Sequence, residues 1–532
     1  MLIFKKQTMK NLFKQFNYAL VLLFLATACH DDLDQSPIDP DSFTEEDVFA
    51  NATEAKGALA KVYASLALTG QEGPAGQPDL SNIDEGFSQY SRMLFNLNEL
   101  TTDNAVVAWG DAGLQDLHGM YWTASNDFTD AMYNRLAQTV SFSNSFIENA
   151  SGLSDEVVTQ YIAEARFIRA FAYYNLIDLY GDVPLVTEIA TTLPTQNSRE
   201  DVFTFVETEL LEIQNQLASS GSNEYGRVDE VAAWSLLSKL YLNAEVWIGQ
   251  TLYNESVTFS NNVIASTYSI NTTDANNNGS AYDELFLADN DVNGAQKEFI
   301  FTLNFDGINS QTYGGSTFLV HAAIGGDMDP IAFGVNGGWG GLRTTSALVN
   351  KMGTGDTRAM FYSNGQNLEI QDMTVFSDGY AVTKFKNIKS DGTQGSDSAG
   401  DFVDTDLPLI RLSEIYLNYA EATLRGGNGN ASLALDFINE LRERAYGDIS
   451  GNISSGDLTL DFILDERARE LYWEGQRRTD LIRYNYFTTS TYLWPYKGDA
   501  TLGTSVANFR NLFPIPTNTI LSNPNLQQNP GY

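Results

Sequence analysis

Cysteine is nearly absent from this sequence, with Cys29 the only one among 532 residues. A single thiol excludes a disulfide framework. Histidine is scarce as well, and His30, His118 and His321 suggest no Ser-His-Asp set. The glycine-rich segment 337–341 (GGWGG) has no lysine, so it is not a phosphate-binding loop. The sequence therefore gives no indication of nucleophilic catalysis or of nucleotide binding.

Basic residues are few, 31 against 68 acidic ones, which makes the formal net charge −37. Such a surface repels nucleic acid and anionic lipid headgroups, so neither is an expected partner. The apolar content of 43% is nevertheless that of a folded globular chain. The sequence therefore predicts a large acidic globular protein that does not bind nucleic acid.

The N-terminus has the layout of a secretion signal. Four lysines precede the apolar run 18–28 (YALVLLFLATA), which is too short to span a bilayer. We predict a signal peptide over 1–28, starting at Met1 or Met9, and lipid on the thiol of Cys29. A buried or free thiol is the alternative. Removal of the four signal lysines changes the net charge from −37 to −41. We interpret residues 29–50 as an acidic tether.

Helical periodicity dominates the rest of the chain, which we interpret as one domain over 51–532. Small residues alternate with aromatic ones within paired helices, a pattern typical of tetratricopeptide-like repeats. The fold class predicted is mostly α, a helical scaffold over 51–266 and 407–484 with loop-rich parts over 70–128 and 267–405. The predicted helices are 155–180, 199–217, 230–247, 407–424, 431–446 and 458–484.

The loop-rich parts place aromatic residues among glycines. Trp109 lies in VAWGDAG, Tyr313 in QTYGGST and Trp339 in NGGWGG. Glycine neighbours leave a ring face uncovered, and a neutral sugar ring can stack on such a face. The alternative is that these aromatic side chains only pack the loops.

Clustered carboxylates suggest a cation site. Residues 289–294 (DNDVNG) begin like an EF-hand loop, but Ile300 stands where the twelfth-position Glu is needed. Asp404 and Asp406 form a second close pair. Oxygen ligands of this kind suit a structural Ca²⁺, with a solvated turn as the alternative.

A run of opposite charges near the C-terminus follows helical spacings of three and four. We interpret it as a helix laced with ion pairs, and a partner-docking face is the alternative. The residues are Glu466, Arg467, Glu470, Glu474, Arg477, Arg478, Asp480 and Arg483.

Several segments together resemble the SusD/RagB family, outer-membrane glycan-binding lipoproteins of Bacteroidetes. They include LDQSPIDP, EARFIRAFAYYNLIDLYGDVP, DTDLPLIRLSEIYLNYAEA, ELYWEGQRRTDLIRY and the terminal FPIPTNTILSNPNLQQNPGY. Others, such as NELTTDNAVVAW, YGGSTFLV and FTTSTYLWPYKG, are similar to its starch-binding branch. The resemblance implies a lipid-anchored protein of the outer membrane, facing the cell exterior. It would capture starch or maltooligosaccharide without cleavage and help deliver it to a SusC-like TonB-dependent transporter.

The resemblance also implies roles for particular residues. Trp109, Tyr313 and Trp339 match an aromatic arc that cradles an α-glucan, and Asp84 and Arg92 match two polar partners. A family asparagine is not kept: its position falls on Ala112, and we expect the adjacent Asp111 to contribute instead. Family calcium ligands match Asp291, Asp404 and Asp406, to which the local pattern adds Asp289. These residues are an expected glycan site and an expected Ca²⁺ site.

Three alternatives stay open at this point. The missing asparagine permits another neutral glucan, such as the β-1,3-glucan laminarin. With 68 acidic residues, a chance carboxylate pair of the glycosidase type is nearly certain, so a surface glycoside hydrolase is possible but less expected. A repeat scaffold that binds only protein is the third.

Overall fold

The computed structural model describes residues 44–81 and 83–532. The predicted signal peptide, Cys29 and the first part of the tether lie outside the described residues. By compactness the chain divides into residues 1–58 and 59–532. In the first unit, the described end of the predicted tether contains a short helix, α1 (Glu45–Val48), which Thr44 caps.

Helices make up most of the described secondary structure, and the predicted mostly α fold class is confirmed. After α1 they are α2 (Ala52–Ala67), α3 (Tyr90–Asn98), α4 (Leu114–Gly119), α5 (Asp127–Ala150), α6 (Glu156–Tyr180), α7 (Arg199–Ile213), α8 (Glu230–Ile248), α9 (Tyr253–Ile264), α10 (Gly315–Ala322), α11 (Ser346–Val349), α12 (Leu412–Leu424), α13 (Ala431–Tyr446), α14 (Leu460–Leu471), α15 (Arg477–Arg483) and α16 (Thr517–Ser522). Single 3-10 turns lie at Asp283–Phe286, Ala295–Glu298, Pro330–Phe333, Ile449–Gly451, Lys497–Asp499 and Asn508–Asn511.

The strands are short and pair two by two, all antiparallel. The pairs are β1 (Val106–Val107) with β5 (Leu342–Arg343), β2 (Val183–Pro184) with β3 (Gln196–Asn197), β4 (Phe299–Leu303) with β8 (Leu407–Arg411), and β6 (Phe361–Tyr362) with β7 (Ala381–Val382). The predicted loop-rich parts are therefore not wholly irregular, since they hold α3, α4, α10, α11 and most of these strands.

Helix α6 shows how local sequence sets the element boundaries. The side chain of Asp155 accepts a hydrogen bond from the backbone N–H of Val157 and caps the first turn. Gly181, with φ of 75°, ends the helix where a side chain would be strained. Apolar residues cover most of its circumference, so the helix is buried on nearly every side. The prediction of a helix over 155–180 is confirmed.

Three predicted helices are wrong in their extent. The helix predicted over 199–217 ends at Ile213. Residues 407–411 form β8 rather than the first turn of α12, because all five are buried and pair with β4. The helix predicted over 458–484 breaks between α14 and α15. Trp473 there adopts φ of 66° and is 2% exposed, and its indole N–H donates to the Asn104 carbonyl at 3.0 Å. Burial of the Trp473 indole therefore stabilises the break more than a continuous helix would.

The helices of the larger unit pack in chain order. Helices α5 to α9 each contact the next along the chain, and α12 then packs on α9 and α13 on α12. Since α9 packs directly on α12, the residues between these two helices form a long insertion in the series of packed helices. Pairing of β4 with β8 joins the two ends of this insertion. Within the described residues no helix is both long enough and apolar enough to cross a membrane.

The C-terminal charges are buried instead of lining one helix surface. Glu470 accepts hydrogen bonds from Arg411 at 2.6 Å, from Arg358 at 3.1 Å and from Arg444. Glu298 in turn accepts from Arg411 at 3.0 Å and from Arg444 at 2.7 Å. Pairs within one helix occur, such as Arg469 with Glu466, but most partners come from distant segments. The interpretation as a single ion-paired helix is therefore corrected to a buried network.

Loss of one carboxylate from this network should destabilise the protein strongly. In Glu470→Gln the three buried arginines keep their charge while the carboxylate that they share loses its own, which we expect to lower the free energy of unfolding by about 3–5 kcal/mol. Urea unfolding measures the change. The matched control is Glu212→Gln, because Glu212 pairs with Arg166 while its side chain is 57% exposed, so its loss should cost below about 1 kcal/mol. Equal losses in the two variants would contradict the network's role.

Stability should also fall in acid. Burial alone would raise the pKa of Glu466, but neighbouring arginines, Arg358 first, outweigh it and lower the pKa to about 2. A carboxyl whose pKa is lower in the folded state stabilises the fold at pH above its ordinary value near 4.5, and that contribution disappears as the pH falls toward 2. Urea midpoints measured across this range should fall less steeply for Glu466→Gln than for wild type. Identical slopes would contradict the assignment.

Candidate functional site

Strand pairing brings two of the predicted aromatic residues together. Trp109 follows β1 and Trp339 precedes β5, and the antiparallel register of these strands places both at one end of the pair. The indole N–H of Trp109 donates to the Trp339 carbonyl at 3.0 Å. Gly341 makes this possible, since a Cβ there would lie 2.3 Å from the Trp109 ring.

Helix α10 adds the third aromatic residue. Tyr313 lies just before its first turn, and His321 is in its last turn. The His321 ring stacks on Trp339 with 5.0 Å between ring centroids and 18° between planes, and its carbonyl accepts the Trp339 N–H at 2.7 Å. Both ends of α10 therefore support this surface.

The three rings form an aromatic row (Trp109, Trp339 and Tyr313). The Trp339 centroid lies 6.4 Å from each of the other two, with interplanar angles of 45° to Trp109 and 55° to Tyr313. All three side chains are half-buried, so each is held by packing while part of it faces solvent. Rings tilted in sequence present a curved apolar surface, which can accept a curved ligand with apolar faces.

Arg92 borders the aromatic row. Its guanidinium lies 4.6 Å from the Phe318 ring centroid and donates to the Tyr313 carbonyl at 3.3 Å. Burial lowers its pKa to about 10, although the carboxylates of Asp111 and Asp84 act in the opposite direction. The side chain stays charged at neutral pH and can donate hydrogen bonds at the edge of the rings.

The structure thus brings the six predicted glycan-site residues into one region. Asp84 and Asp111 are exposed, and the Asp84 carboxylate accepts the Gly86 N–H at 2.8 Å. Ala112 is exposed next to Asp111 and offers no polar group. The role of these residues in binding stays a prediction.

Two side chains that support the aromatic row, His321 and Phe318, were not predicted from the sequence. His321 stacks on one ring of the aromatic row, and Phe318 lies beside both Trp109 and the Arg92 guanidinium. Both residues lie on α10, and their partners Trp339 and Trp109 lie on other elements. The sequence around them therefore gives little sign of these contacts.

The predicted calcium ligands form an acidic group (Asp289, Asp291, Asp404 and Asp406). Burial raises the pKa of Asp406 to about 7, and the charges of Asp291 and Asp404 add to the effect. Burial also raises the pKa of Asp291, with Asp289 and Asp404 contributing. A divalent cation would relieve this mutual repulsion.

The described carboxylates are not arranged to coordinate a Ca²⁺ ion by themselves. Within the described ranges, no three acidic, His or Cys side chains lie close enough to hold a metal ion. Asp289 already accepts from the Ser390 hydroxyl at 2.6 Å, and Asp404 from the Gly307 N–H at 2.8 Å. A bound Ca²⁺ would therefore also need backbone carbonyls and water, ligands that it accepts readily.

Two family models match the chain. The model described as "SusD family" matches residues 352–532, and the model described as "Starch-binding associating with outer membrane" matches residues 78–242.

Several relatives are similar over most of their length. The starch-binding protein SusD of Bacteroides thetaiotaomicron is 35% identical, covering 97% of this chain and 98% of that protein. The SusD-like protein P25 of Formosa agariphila is 24% identical, covering 89% and 93% respectively.

Solved structures share the fold. A SusD superfamily protein from Parabacteroides distasonis aligns with a TM-score of 0.69 at 21% identity, over 92% of this chain and 100% of that one. A laminarin-binding SusD-like protein aligns with a TM-score of 0.69 at 20% identity, over 91% and 100%. The helical fold predicted from the sequence is the one these structures share.

Calcium should stabilise the protein if the acidic group holds it. A ligand at a hundredfold excess over its dissociation constant adds about 2.7 kcal/mol to the free energy of unfolding. We expect the unfolding temperature of chelator-treated protein to rise when Ca²⁺ is added. Asp404→Asn should abolish the rise, whereas Asp436→Asn on α13 should not. An unchanged unfolding temperature of wild type would contradict the Ca²⁺ site.

Proposed function

Because this chain belongs to the SusD family, we propose that it captures starch or maltooligosaccharide at the cell surface without cleaving it. The aromatic row carries the proposal. Its three tilted rings, with neighbouring centroids 6.4 Å apart, offer stacking faces along a curve. Chains of α-glucan are curved as well. Each stacked pair contributes about 0.5–1.5 kcal/mol, by analogy with aromatic pairs.

The polar residues at the edge of the row would orient the sugar. Arg92 would donate to sugar hydroxyls, and the exposed carboxylates of Asp84 and Asp111 would accept from them. These carboxylates and the net charge of −37 disfavour acidic polysaccharides. A neutral glucan is the class that this chemistry fits best.

Location and partners follow from the same family relationship. We infer that lipid on Cys29 anchors the protein in the outer membrane with the aromatic row outside the cell. A SusC-like TonB-dependent transporter would receive the captured oligosaccharide. One matching family model is described by association with the outer membrane, which supports this location.

A β-1,3-glucan such as laminarin is the second candidate ligand. One structure with the same fold is described as laminarin-binding, and Ala112 removes a polar group that the starch-binding resemblance would supply. Both observations leave room for a differently shaped neutral glucan.

Removal of the central ring should abolish most binding. In Trp339→Ala both neighbouring rings lose their partner and the central stacking contact with sugar disappears, so we expect about tenfold weaker affinity, equivalent to about 1.4 kcal/mol. Native gels containing amylopectin, pullulan, laminarin or β-mannan measure retardation and distinguish the two glucan classes.

The matched control is Trp234→Ala, which removes a half-buried tryptophan from α8. Retardation should persist in this variant. Unchanged retardation in Trp339→Ala would contradict the site, and new reducing ends released from any of the polysaccharides would contradict the non-catalytic assignment.

A further inference from the structure

A second series of tilted rings lies near the C-terminus, the tyrosine row (Tyr484, Tyr486 and Tyr492). The Tyr486 centroid lies 6.3 Å from that of Tyr484 and 6.0 Å from that of Tyr492, with interplanar angles of 48° and 35°. All three side chains are half-buried. Spacing, tilt and burial therefore resemble those of the aromatic row, although the tyrosine row is built from a different segment of the chain.

A buried lysine fixes the loop that carries these rings. Lys497 is fully buried, and its ammonium donates to three backbone carbonyls of the loop. These belong to Tyr486, Thr489 and Tyr492, at 2.9, 2.6 and 2.8 Å. The Tyr492 hydroxyl also donates to the Asp103 carboxylate at 2.5 Å. Rings that are held in place before a ligand arrives lose less entropy when they bind it.

Polar side chains flank the tyrosine row. The Tyr486 hydroxyl donates to the exposed Asp461 of α14 at 2.9 Å. Lys351 lies 5.0 Å from the Tyr492 ring centroid and pairs at 2.6 Å with Asp465, whose side chain is 44% exposed. Exposed carboxylates and a cation beside one ring border the aromatic row as well. The same set of chemical groups is thus present at two places on the protein.

This chemistry favours a neutral sugar as the ligand. The partly exposed rings can stack on the C–H face of a pyranose, and the carboxylates can accept hydrogen bonds from its hydroxyls. The same carboxylates would repel an anionic glycan. Between the rings the chain exposes Asn485, Ser490 and Thr491, which add hydrogen-bonding groups rather than the apolar area typical of the centre of a protein interface.

We propose that the tyrosine row is a second glucan-binding surface, which contacts another stretch of the polysaccharide held on the aromatic row. This inference rests on the proposed function and extends it from one binding surface to two. Two contacts with one polymer raise the avidity even when each contact is weak. Asp103, the partner of Tyr492, lies on the segment that leads through β1 to Trp109, so the frame that supports one row also supports the other.

Native gels containing amylopectin test the second surface. Tyr486→Ala removes the middle ring, and we expect the apparent affinity for amylopectin to fall about tenfold because the polymer loses one of two attachments. Tyr486→Phe keeps the ring and loses only the hydrogen bond to Asp461, so it should be retarded as wild type is. The matched control is Tyr121→Ala, which removes a tyrosine that is 42% exposed after α4 and should also be retarded as wild type is.

A double variant separates the two surfaces. Combined with Trp339→Ala, Tyr486→Ala should remove the retardation that Trp339→Ala alone retains, and circular dichroism checks that each variant is folded. Unchanged retardation in Tyr486→Ala, or a loss as large in Tyr486→Phe or Tyr121→Ala, would overturn the second surface and leave the proposed function intact. If wild type itself is not retarded, the proposed starch function fails, and the second surface fails with it.

Discussion

The buried ion pairs around Glu470 are the interaction on which the rest of the structure depends. Three arginines, from the insertion, β8 and α13, converge on this one carboxylate of α14. Charges in the interior are tolerated only when each is paired with good geometry. The network therefore requires that the insertion and the C-terminal helices meet in one arrangement. Lys384 and Glu474 extend it toward the turn that ends α14.

The same chemistry positions the aromatic row. Asp103, just before β1, binds Arg477 of α15 at 2.7 Å, so the segment leading to Trp109 is tied to the C-terminal helices. Glu99 accepts the Gly475 N–H at 2.8 Å, while burial raises its pKa to about 7. On the other side of the row, Arg343 donates to the Asp378 carbonyl at 2.8 Å and holds β5 in place. A rigid frame of this kind keeps the half-buried rings in a fixed geometry, which reduces the entropy lost on binding.

Local rules account for much of what could be predicted. Helix α6 begins at the Asp155 cap and ends at Gly181, both readable from the sequence. Prediction was wrong where distant contacts override helical periodicity: β8 forms because β4 is its partner, and Trp473 turns the chain to reach Asn104. The aromatic residues could be proposed as a site from their glycine neighbours and the family resemblance. Their order, with Trp339 in the middle, could not.

By itself the sequence determined the fold class and the helix boundaries with local caps. These depend on periodicity, capping and turn chemistry, which act over a few residues. Only the tertiary structure decided that the C-terminal charges are buried and that His321 stacks on Trp339. These features depend on contacts between separate elements of the chain, and no local pattern records which partners meet.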